Sequence, residues 1–214
     1  NGKLFAGGLF TQLNGIPAMH VAQYNGTWQA MNGGIGWGFP VSFVEYNGEL
    51  YAGGYFYQVS GAPTAYLVAR WNGTQWQSAG NSVLDGNVYA LCSYNGELYA
   101  GGNFTQMGGV PCNRIAKWNG TNWSAVGSGV TGSVTSVQAM SVYNGKLYVG
   151  GVFNWGCGNP AWYIATWNGT QWDSVGNGMN GPVLALATDT VNNKLYVGGN
   201  FSTAGSSVSI GVAQ

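Results

Sequence analysis

His20 is the only histidine among the 214 residues of the chain. A metal site with two histidines, or a catalytic triad assisted by a second histidine, therefore cannot be built from this sequence. The residues around His20 offer it no evident catalytic partner. We expect a histidine that is hydrogen-bonded within a loop rather than a general base.

Six carboxylates are the remaining candidates for acid–base or metal chemistry. They are Glu45, Glu49, Asp85, Glu97, Asp173 and Asp189. Glu49 and Glu97 occupy a repeated position that elsewhere holds Lys3, Lys146 and Lys194, and a catalytic acid would not be interchangeable with lysine. Both are interpreted as solvated charges at strand edges. No carboxylate pair, calcium loop or phosphate-binding glycine loop is present. The sequence predicts a protein that is not an enzyme, with no catalytic residues, metal site or cofactor.

Three cysteines bear on the redox compartment. Cys112 and Cys157 lie in equivalent loops of adjacent repeats and could meet as a disulfide, which would suit an oxidising compartment. Two free or separately packed thiols are an equal alternative, because a bridge needs Cα atoms within about 7 Å. Cys92 lies within a predicted strand and is interpreted as a small buried hydrophobe.

Aromatic residues outside the repeat pattern favour sugar recognition. The candidate ligand-binding residues are Trp37, Trp155, Trp162, Tyr163, Asn154 and Asn159. Trp37 lies in the first connection between repeats, and the others share one long loop. An exposed ring covers the apolar face of a pyranose while amides hydrogen-bond to its hydroxyls. The alternative is that each ring fills a gap between repeats, since large aromatics are mostly buried.

The low charge of the chain limits its partners. Only 6% of the residues are charged and the formal net charge is zero. Without a basic patch to hold a phosphate backbone, nucleic acid is not an expected partner. No apolar run reaches the roughly 18 residues of a membrane span, so no membrane insertion is expected. The abundance of asparagine, threonine, tryptophan and tyrosine is typical of an extracellular or cell-surface protein.

The segment NGELYAGG at Asn95–Gly102 recurs along the chain and organises it. Related copies begin at Asn1, Asn47, Asn144 and Asn192, at intervals of 46, 48, 49 and 48 residues. A period between about 20 and 50 residues indicates a solenoid, a propeller or an array. A unit of about 48 residues is therefore repeated almost five times along the chain.

The third copy shows the strands of one unit most clearly. Val88–Tyr94 and Glu97–Phe104 are predicted strands, joined by a type I′ turn at Asn95-Gly96. Arg114–Trp118 and Asn122–Val126 follow as the third and fourth strands. Four antiparallel strands repeated radially form the blade of a β-propeller. The sequence therefore predicts an all-β propeller of about five repeats, with incomplete first and last blades.

Glycine pairs and tryptophans also recur at fixed positions. The glycine pairs, which fit places where a neighbour approaches too closely for a Cβ, are Gly53-Gly54, Gly101-Gly102 and Gly150-Gly151. The tryptophans of the third and fourth strands, predicted to be core residues, are Trp28, Trp71, Trp76, Trp118, Trp123, Trp167 and Trp172.

Each repeat contains a strand, the segment NGxLYxGG, a strand with an aromatic residue, a tight turn and a tryptophan. This order resembles that of Kelch-type propeller repeats. It is most similar to the WNGTxW repeats of large secreted bacterial surface proteins, although the turn before the final tryptophan is shorter than in typical Kelch units. The resemblance covers essentially the whole chain and implies a propeller fold without implying an activity.

The terminal repeats both contain the second and third strands, so they duplicate rather than complement one another. We interpret residues 1–214 as a single propeller domain, part of a longer chain in the first interpretation. In the second interpretation, neighbouring chains supply the absent strands.

The sequence predicts two alternative functions. The first is a non-enzymatic adhesion or recognition module for a glycan or cell-surface polymer. The alternative is a structural surface or filament subunit that forms homo-oligomers through its terminal strand edges.

Overall fold

The computed structural model describes residues 2–60, 66–80, 85–132, 135–156 and 159–214, with only the backbone of residues 155, 156, 159 and 160. The strands group into five units that follow the sequence repeats. Unit 1 contains β1 (Leu4–Gly7), β2 (Gln12–Leu13), β3 (Ile16–Pro17), β4 (Val21–Tyr24) and β5 (Trp28–Ala30). Unit 2 contains β6 (Ile35–Tyr46), β7 (Glu49–Val59), β8 (Val68–Trp71) and β9 (Trp76–Ser78). Unit 3 contains β10 (Val88–Tyr94), β11 (Glu97–Gly102), β12 (Gln106–Met107), β13 (Val110–Pro111), β14 (Ile115–Trp118) and β15 (Trp123–Ala125). Unit 4 contains β16 (Val130–Thr131), β17 (Ser136–Tyr143), β18 (Lys146–Val152), β19 (Trp155–Gly156), β20 (Asn159–Pro160), β21 (Ile164–Trp167) and β22 (Trp172–Ser174). Unit 5 contains β23 (Val183–Asp189), β24 (Lys194–Gly199), β25 (Thr203–Ala204), β26 (Ser207–Val208) and β27 (Val212–Ala213).

Units 2, 3 and 4 each contain the predicted four-stranded antiparallel sheet. Their strand orders are β6-β7-β8-β9, β10-β11-β14-β15 and β17-β18-β21-β22. In the described part of the chain, units 1 and 5 have three-stranded sheets, β1-β4-β5 and β23-β24-β27. The all-β prediction and the four-stranded antiparallel repeat are therefore confirmed, while closure of a ring and the number of blades remain predictions.

The Asn-Gly turns adopt the backbone that the sequence predicts. Asn95 has a φ of 50° and Gly96 a φ of 74°, and the type I′ turn requires positive φ at both central positions. The strands that flank this turn pair in register, with Tyr94 opposite Glu97 and Ser93 opposite Leu98. The turn thus fixes which side chains of β10 and β11 face each neighbouring unit.

The loops between the second and third strands contain structure that the sequence did not reveal. Two-residue strands form small hairpins there, such as β2-β3, β12-β13 and β25-β26. In unit 2 the main strands β6 and β7 are themselves extended to 12 and 11 residues. Trp37 therefore lies within β6, not in a connection as the sequence suggested.

Successive units pack face to face through four apolar clusters. The tryptophan pairs of units 2, 3 and 4 lie in these clusters, each pair on the side of its sheet that faces the preceding unit. All six of these tryptophans are buried, as predicted: Trp71, Trp76, Trp118, Trp123, Trp167 and Trp172. The Trp123 indole donates a hydrogen bond to the carbonyl of Ala79 at 2.7 Å, and Trp172 donates to Val126 at 3.0 Å. In unit 1, Trp28 is only half-buried.

Within the described residues, no helix is long and apolar enough to cross a membrane.

Candidate functional site

A surface cavity of about 350 Å³ lies where the long loop of unit 4 meets unit 5. Trp162 and Tyr163 form its aromatic part, and Asn177, Asn180 and Thr203 are among its polar lining residues. The Trp162 side chain is 48% exposed. An exposed indole beside amide and hydroxyl groups provides an apolar platform together with hydrogen-bonding groups, which suits a ligand that has both.

The backbone of unit 5 comes close to Trp162 and fixes its position. A Cβ at Gly178, whose φ is 71°, would lie 2.8 Å from the Trp162 Cβ, so only glycine allows this approach. The next residue, Met179, donates its backbone N–H to the Trp162 carbonyl at 3.0 Å. Trp162 is therefore held by main-chain contacts between two units while its ring stays open to solvent.

Tyr163 occupies a strained position that recurs in units 1 to 4. Its φ is 63°, and the residues before β4, β8 and β14 have similar values of 63° to 67°. These residues are His20, Leu67 and Arg114. Each donates its backbone N–H to a phenylalanine carbonyl, which for Tyr163 is that of Phe153 at 2.9 Å. Left-handed backbone at a residue other than glycine costs about 1–2 kcal/mol, so the hydrogen-bonded loop must hold it in place.

The polar groups of the cavity differ in their freedom to bind a ligand. The Asn180 side-chain oxygen accepts hydrogen bonds from the N–H groups of Ser202 at 2.8 Å and Thr203 at 2.9 Å. Its amide nitrogen donates to the Ser202 hydroxyl at 2.8 Å. Asn180 therefore shapes the cavity wall, whereas the side chain of Asn177 is exposed and available to a ligand.

Among the predicted ligand-binding residues, the structure brings together Trp162 and Tyr163. Trp37 is 79% exposed but lies in unit 2, with the whole of unit 3 between it and Trp162. Asn154 is not among the residues that line the cavity. Its side-chain oxygen is buried and makes no hydrogen bond to another described residue. For Trp155 and Asn159 only the backbone is described, in β19 and β20, so their roles stay predictions.

Sequence reasoning missed the residues that unit 5 contributes, namely Asn177, Asn180 and Thr203. They lie outside the long loop that contains the extra aromatics, and they reach Trp162 only because unit 5 packs on unit 4. The one usable signal was the variability of the loops between the second and third strands, which include Thr203.

The other candidate reactive groups take structural roles or lie outside the described residues. His20 donates from Nδ1 to the carbonyl of Ile35 at 2.7 Å, which confirms a hydrogen-bonded loop histidine. Cys112 is buried, and burial raises the pKa of its thiol to about 11. Its predicted partner Cys157 lies outside the described residues, so the disulfide stays a prediction. Within the described part of the chain, no three histidine, cysteine or acidic side chains are grouped to hold a metal ion.

Comparison with known proteins bears on the fold. Residues 1–29 match the model of a β-propeller domain of unknown function, DUF5122. This match supports a β-propeller family. The crystal structure of the computationally designed protein Ika8 is similar over 77% of this chain, with 14% sequence identity and a TM-score of 0.44. The matched region is 44% of the designed chain, so our chain spans less than half of its length. No curated protein matches the sequence.

Proposed function

We propose that this β-propeller domain is a non-enzymatic recognition module that binds carbohydrate at the cell surface or outside the cell. Its repeats would belong to the Kelch-like WNGTxW type of secreted surface proteins. The proposal depends on one observation: the exposed Trp162 ring lies in a cavity with Tyr163 and the amide of Asn177. A sugar ring stacked on Trp162 could hydrogen-bond to Asn177 through its hydroxyls.

The cavity dimensions support a small ligand or one end of a polysaccharide. Its 350 Å³ lies at the lower end of the roughly 300–1,000 Å³ of ligand pockets. The low charge of the chain favours a neutral partner, since neutral sugars are held by stacking and hydrogen bonds without ion pairs. A glycan or a cell-surface polymer is the partner class that fits these groups.

A glycan array covering bacterial, plant and animal polysaccharides would test this function. We expect a defined set of glycans to bind, and Trp162→Ala to weaken that binding about tenfold or more, which corresponds to at least about 1.4 kcal/mol. Trp162→Phe should retain part of the affinity because the smaller ring still offers a stacking surface.

Trp37→Ala is the matched control, since Trp37 is a more exposed tryptophan in another unit. It should leave glycan binding unchanged if the cavity is the site. Circular dichroism would verify that both variants fold. Equal losses in the Trp37 and Trp162 variants, or no bound glycan on the array, would contradict the proposal.

A second candidate function is a self-associating surface or filament subunit joined through strand exchange at the first and last sheets. It is favoured by apolar side chains that are exposed on those sheets but buried at equivalent positions elsewhere. Val212 is 63% exposed, whereas its counterparts Val68 and Ile115 are fully buried. Leu4 is 59% exposed, and its counterpart Leu98 is buried. Light scattering over a concentration series should then show assembly that Val212→Glu weakens, and a strict monomer would exclude this function.

A further inference from the structure

The position that Asn180 holds in unit 5 is filled by an aspartate in unit 3. Asp85 lies three residues before Val88, and Asn180 lies three residues before Val183. Each of these valines begins the first strand of its unit's sheet and pairs with the second glycine of the adjacent strand. Asp85 and Asn180 are therefore equivalent residues, and of the two it is Asn180 that lines the cavity containing Trp162.

Both side chains make the same hydrogen bonds to the backbone of their own unit. The Asp85 carboxylate accepts from the N–H groups of Thr105 at 2.9 Å and Gln106 at 3.3 Å, and also from the Thr105 hydroxyl. The Asn180 oxygen accepts from the N–H groups of the two equivalent residues of unit 5, at 2.8 Å and 2.9 Å. Its amide nitrogen donates to the hydroxyl of the first of them at 2.8 Å. The fold therefore accepts either a carboxylate or an amide here, because both supply the acceptor oxygen that the backbone uses.

The two positions differ in charge, and in unit 5 this difference falls on the wall of a cavity. All six basic and all six acidic side chains of the chain lie within the described residues, and none of them lines the cavity that contains Trp162. An aspartate in place of Asn180 would introduce a charge into this lining. The amide thus keeps the cavity uncharged at a position where the fold does not itself require an uncharged side chain.

An uncharged cavity selects against charged ligands. A carboxylate or ammonium group of a sugar loses hydration when it enters the cavity, and no opposite charge in the lining compensates for that loss. Hydroxyl and acetamido groups cost less to dehydrate, and the exposed amide of Asn177 offers them a hydrogen-bonding partner. The difference in dehydration cost therefore favours sugars that have no ionised substituent.

We propose that Asn180 is a specificity-determining residue of this site. Its amide holds the cavity wall as an aspartate would, and it restricts the ligand to sugars without a charged group. Neutral hexoses and N-acetylated amino sugars are favoured, whereas uronic acids, sialic acids and free amino sugars are disfavoured. This inference rests on the proposed carbohydrate function and adds to it the class of sugar that is bound.

A glycan array with matched saccharides tests this specificity. Each neutral sugar on the array is compared with its uronic acid, its free amine and its N-acetylated amine, all on the same linker. We expect the original chain to bind the neutral or N-acetylated member about fivefold or more tightly than either charged member. In Asn180→Asp, the new carboxylate attracts an ammonium group and repels a uronate. The preference for the free amine over the uronic acid should therefore rise about fivefold or more.

Asp85→Asn is the matched control, because it makes the reverse change at the equivalent position of unit 3, outside the cavity lining. It should leave the order of preference among the saccharides unchanged. Thermal unfolding of both variants should give midpoints close to that of the original chain, since each variant keeps an acceptor oxygen for the two backbone N–H groups.

The contrary outcomes separate this inference from the function on which it rests. If the original chain binds no glycan, the carbohydrate function and the inference fail together. If it binds uronic or sialic acids as tightly as neutral sugars, the carbohydrate function stands and the inference is overturned. An unchanged order of preference in Asn180→Asp, or the same shift in Asp85→Asn, would show that Asn180 does not set the specificity. A much lower unfolding midpoint for Asn180→Asp would show that the fold itself requires the amide, which also contradicts the inference.

Discussion

At the residue scale, the paired glycines set how closely the units approach each other. A Cβ at Gly101 would collide with the side chain of Val137 in the next sheet. A Cβ at Gly102 would collide with the carbonyl of Asn87 in its own unit. The lack of a Cβ at the first glycine therefore allows the next unit to pack closely. The lack of a Cβ at the second glycine allows the backbone of the same unit to pack closely. The same difference holds for Gly53-Gly54 and Gly150-Gly151, so both glycines of the pair are needed in units 2, 3 and 4.

Gly101→Ala should lower the free energy of unfolding by about 1–3 kcal/mol, because the added methyl group overpacks the junction with unit 4. Gly36→Ala is the matched control in another strand, where the nearest atom to an added Cβ is the Gln58 carbonyl oxygen at 3.9 Å. That control should be nearly neutral or slightly stabilising. Urea unfolding of both variants measures the difference. Equal destabilisation would show that close approach is not the reason for the glycine.

Alkaline pH should destabilise the fold because two acidic groups, the buried Tyr99 phenol and the half-buried Cys92 thiol, resist ionisation. Burial raises the pKa of the Cys92 thiol to about 11 and that of the Tyr99 phenol to about 12. Both groups ionise at lower pH in the unfolded chain, so the unfolded state loses protons first and is favoured as the pH rises. The contribution of Cys92 to stability is complete below its unfolded value of 9.0 and is lost as the pH rises towards 11.

Urea unfolding at pH 8, 9, 10, 11 and 12 would measure this dependence. Cys92→Ala should make the free energy of unfolding fall less steeply between pH 9 and 11, and Tyr99→Phe should do so between pH 10 and 12. Variants with the same pH profile as the original chain would show that the raised pKa values of Cys92 and Tyr99 are not the cause.

At the element scale, an asparagine turn joins the third and fourth strands of each complete unit. The side-chain oxygen of Asn119 accepts hydrogen bonds from the N–H groups of Thr121 at 2.9 Å and Asn122 at 2.8 Å. Asn72 and Asn168 make the same pair of contacts in their own units. An asparagine that bonds its own backbone in this way favours a turn over continued strand. The WNGT sequence therefore places the two tryptophans directly opposite each other.

Asn119→Ala should cost about 1 kcal/mol of stability, because two backbone donors lose their acceptor while remaining exposed to water. Asn122→Ala changes a neighbouring exposed asparagine whose backbone, not its side chain, takes part in the turn. Thermal unfolding should show a lower midpoint for the first variant than for the second. Identical midpoints would mean that the Asn119 side chain does not stabilise the turn.

At the scale of the whole molecule, the units form a stack in which each is stabilised mainly by its neighbours. The sheets of units 2, 3 and 4 are covered on both faces by apolar clusters. The sheets of units 1 and 5 each contribute to a single cluster, and their other faces carry exposed apolar residues such as Leu4 and Val212. In repeat architectures, stability is close to a sum of unit and nearest-neighbour terms.

Amide hydrogen exchange should therefore be slowest in the middle of the stack. We expect the amides of β11 and β18 to exchange more slowly than those of β4 and β27, since the terminal units open locally without unfolding the rest. Uniform protection across all five units would contradict the stack and would indicate one cooperative structure. The comparison requires no variant and can be made on the native chain by mass spectrometry.

The sequence determined the features that are repeated within each unit. The Asn95-Gly96 turn, the glycine pairs, the burial of Trp118 and Trp123, and the four antiparallel strands all follow from local chemistry or from a fixed period. Such features recur at a fixed period, and each copy of the repeat supports the same interpretation.

Only the tertiary structure decided which residues of different units meet. It placed Asn177 and Asn180 beside Trp162, separated Trp37 from that group, and buried the side-chain oxygen of Asn154 outside the cavity lining. These relations arise from the packing of one sheet on the next, and a repeat pattern does not specify them because equivalent positions carry different side chains. The turn and strand rules act over a few residues, whereas a binding site here is assembled between units that are about 48 residues apart in the chain.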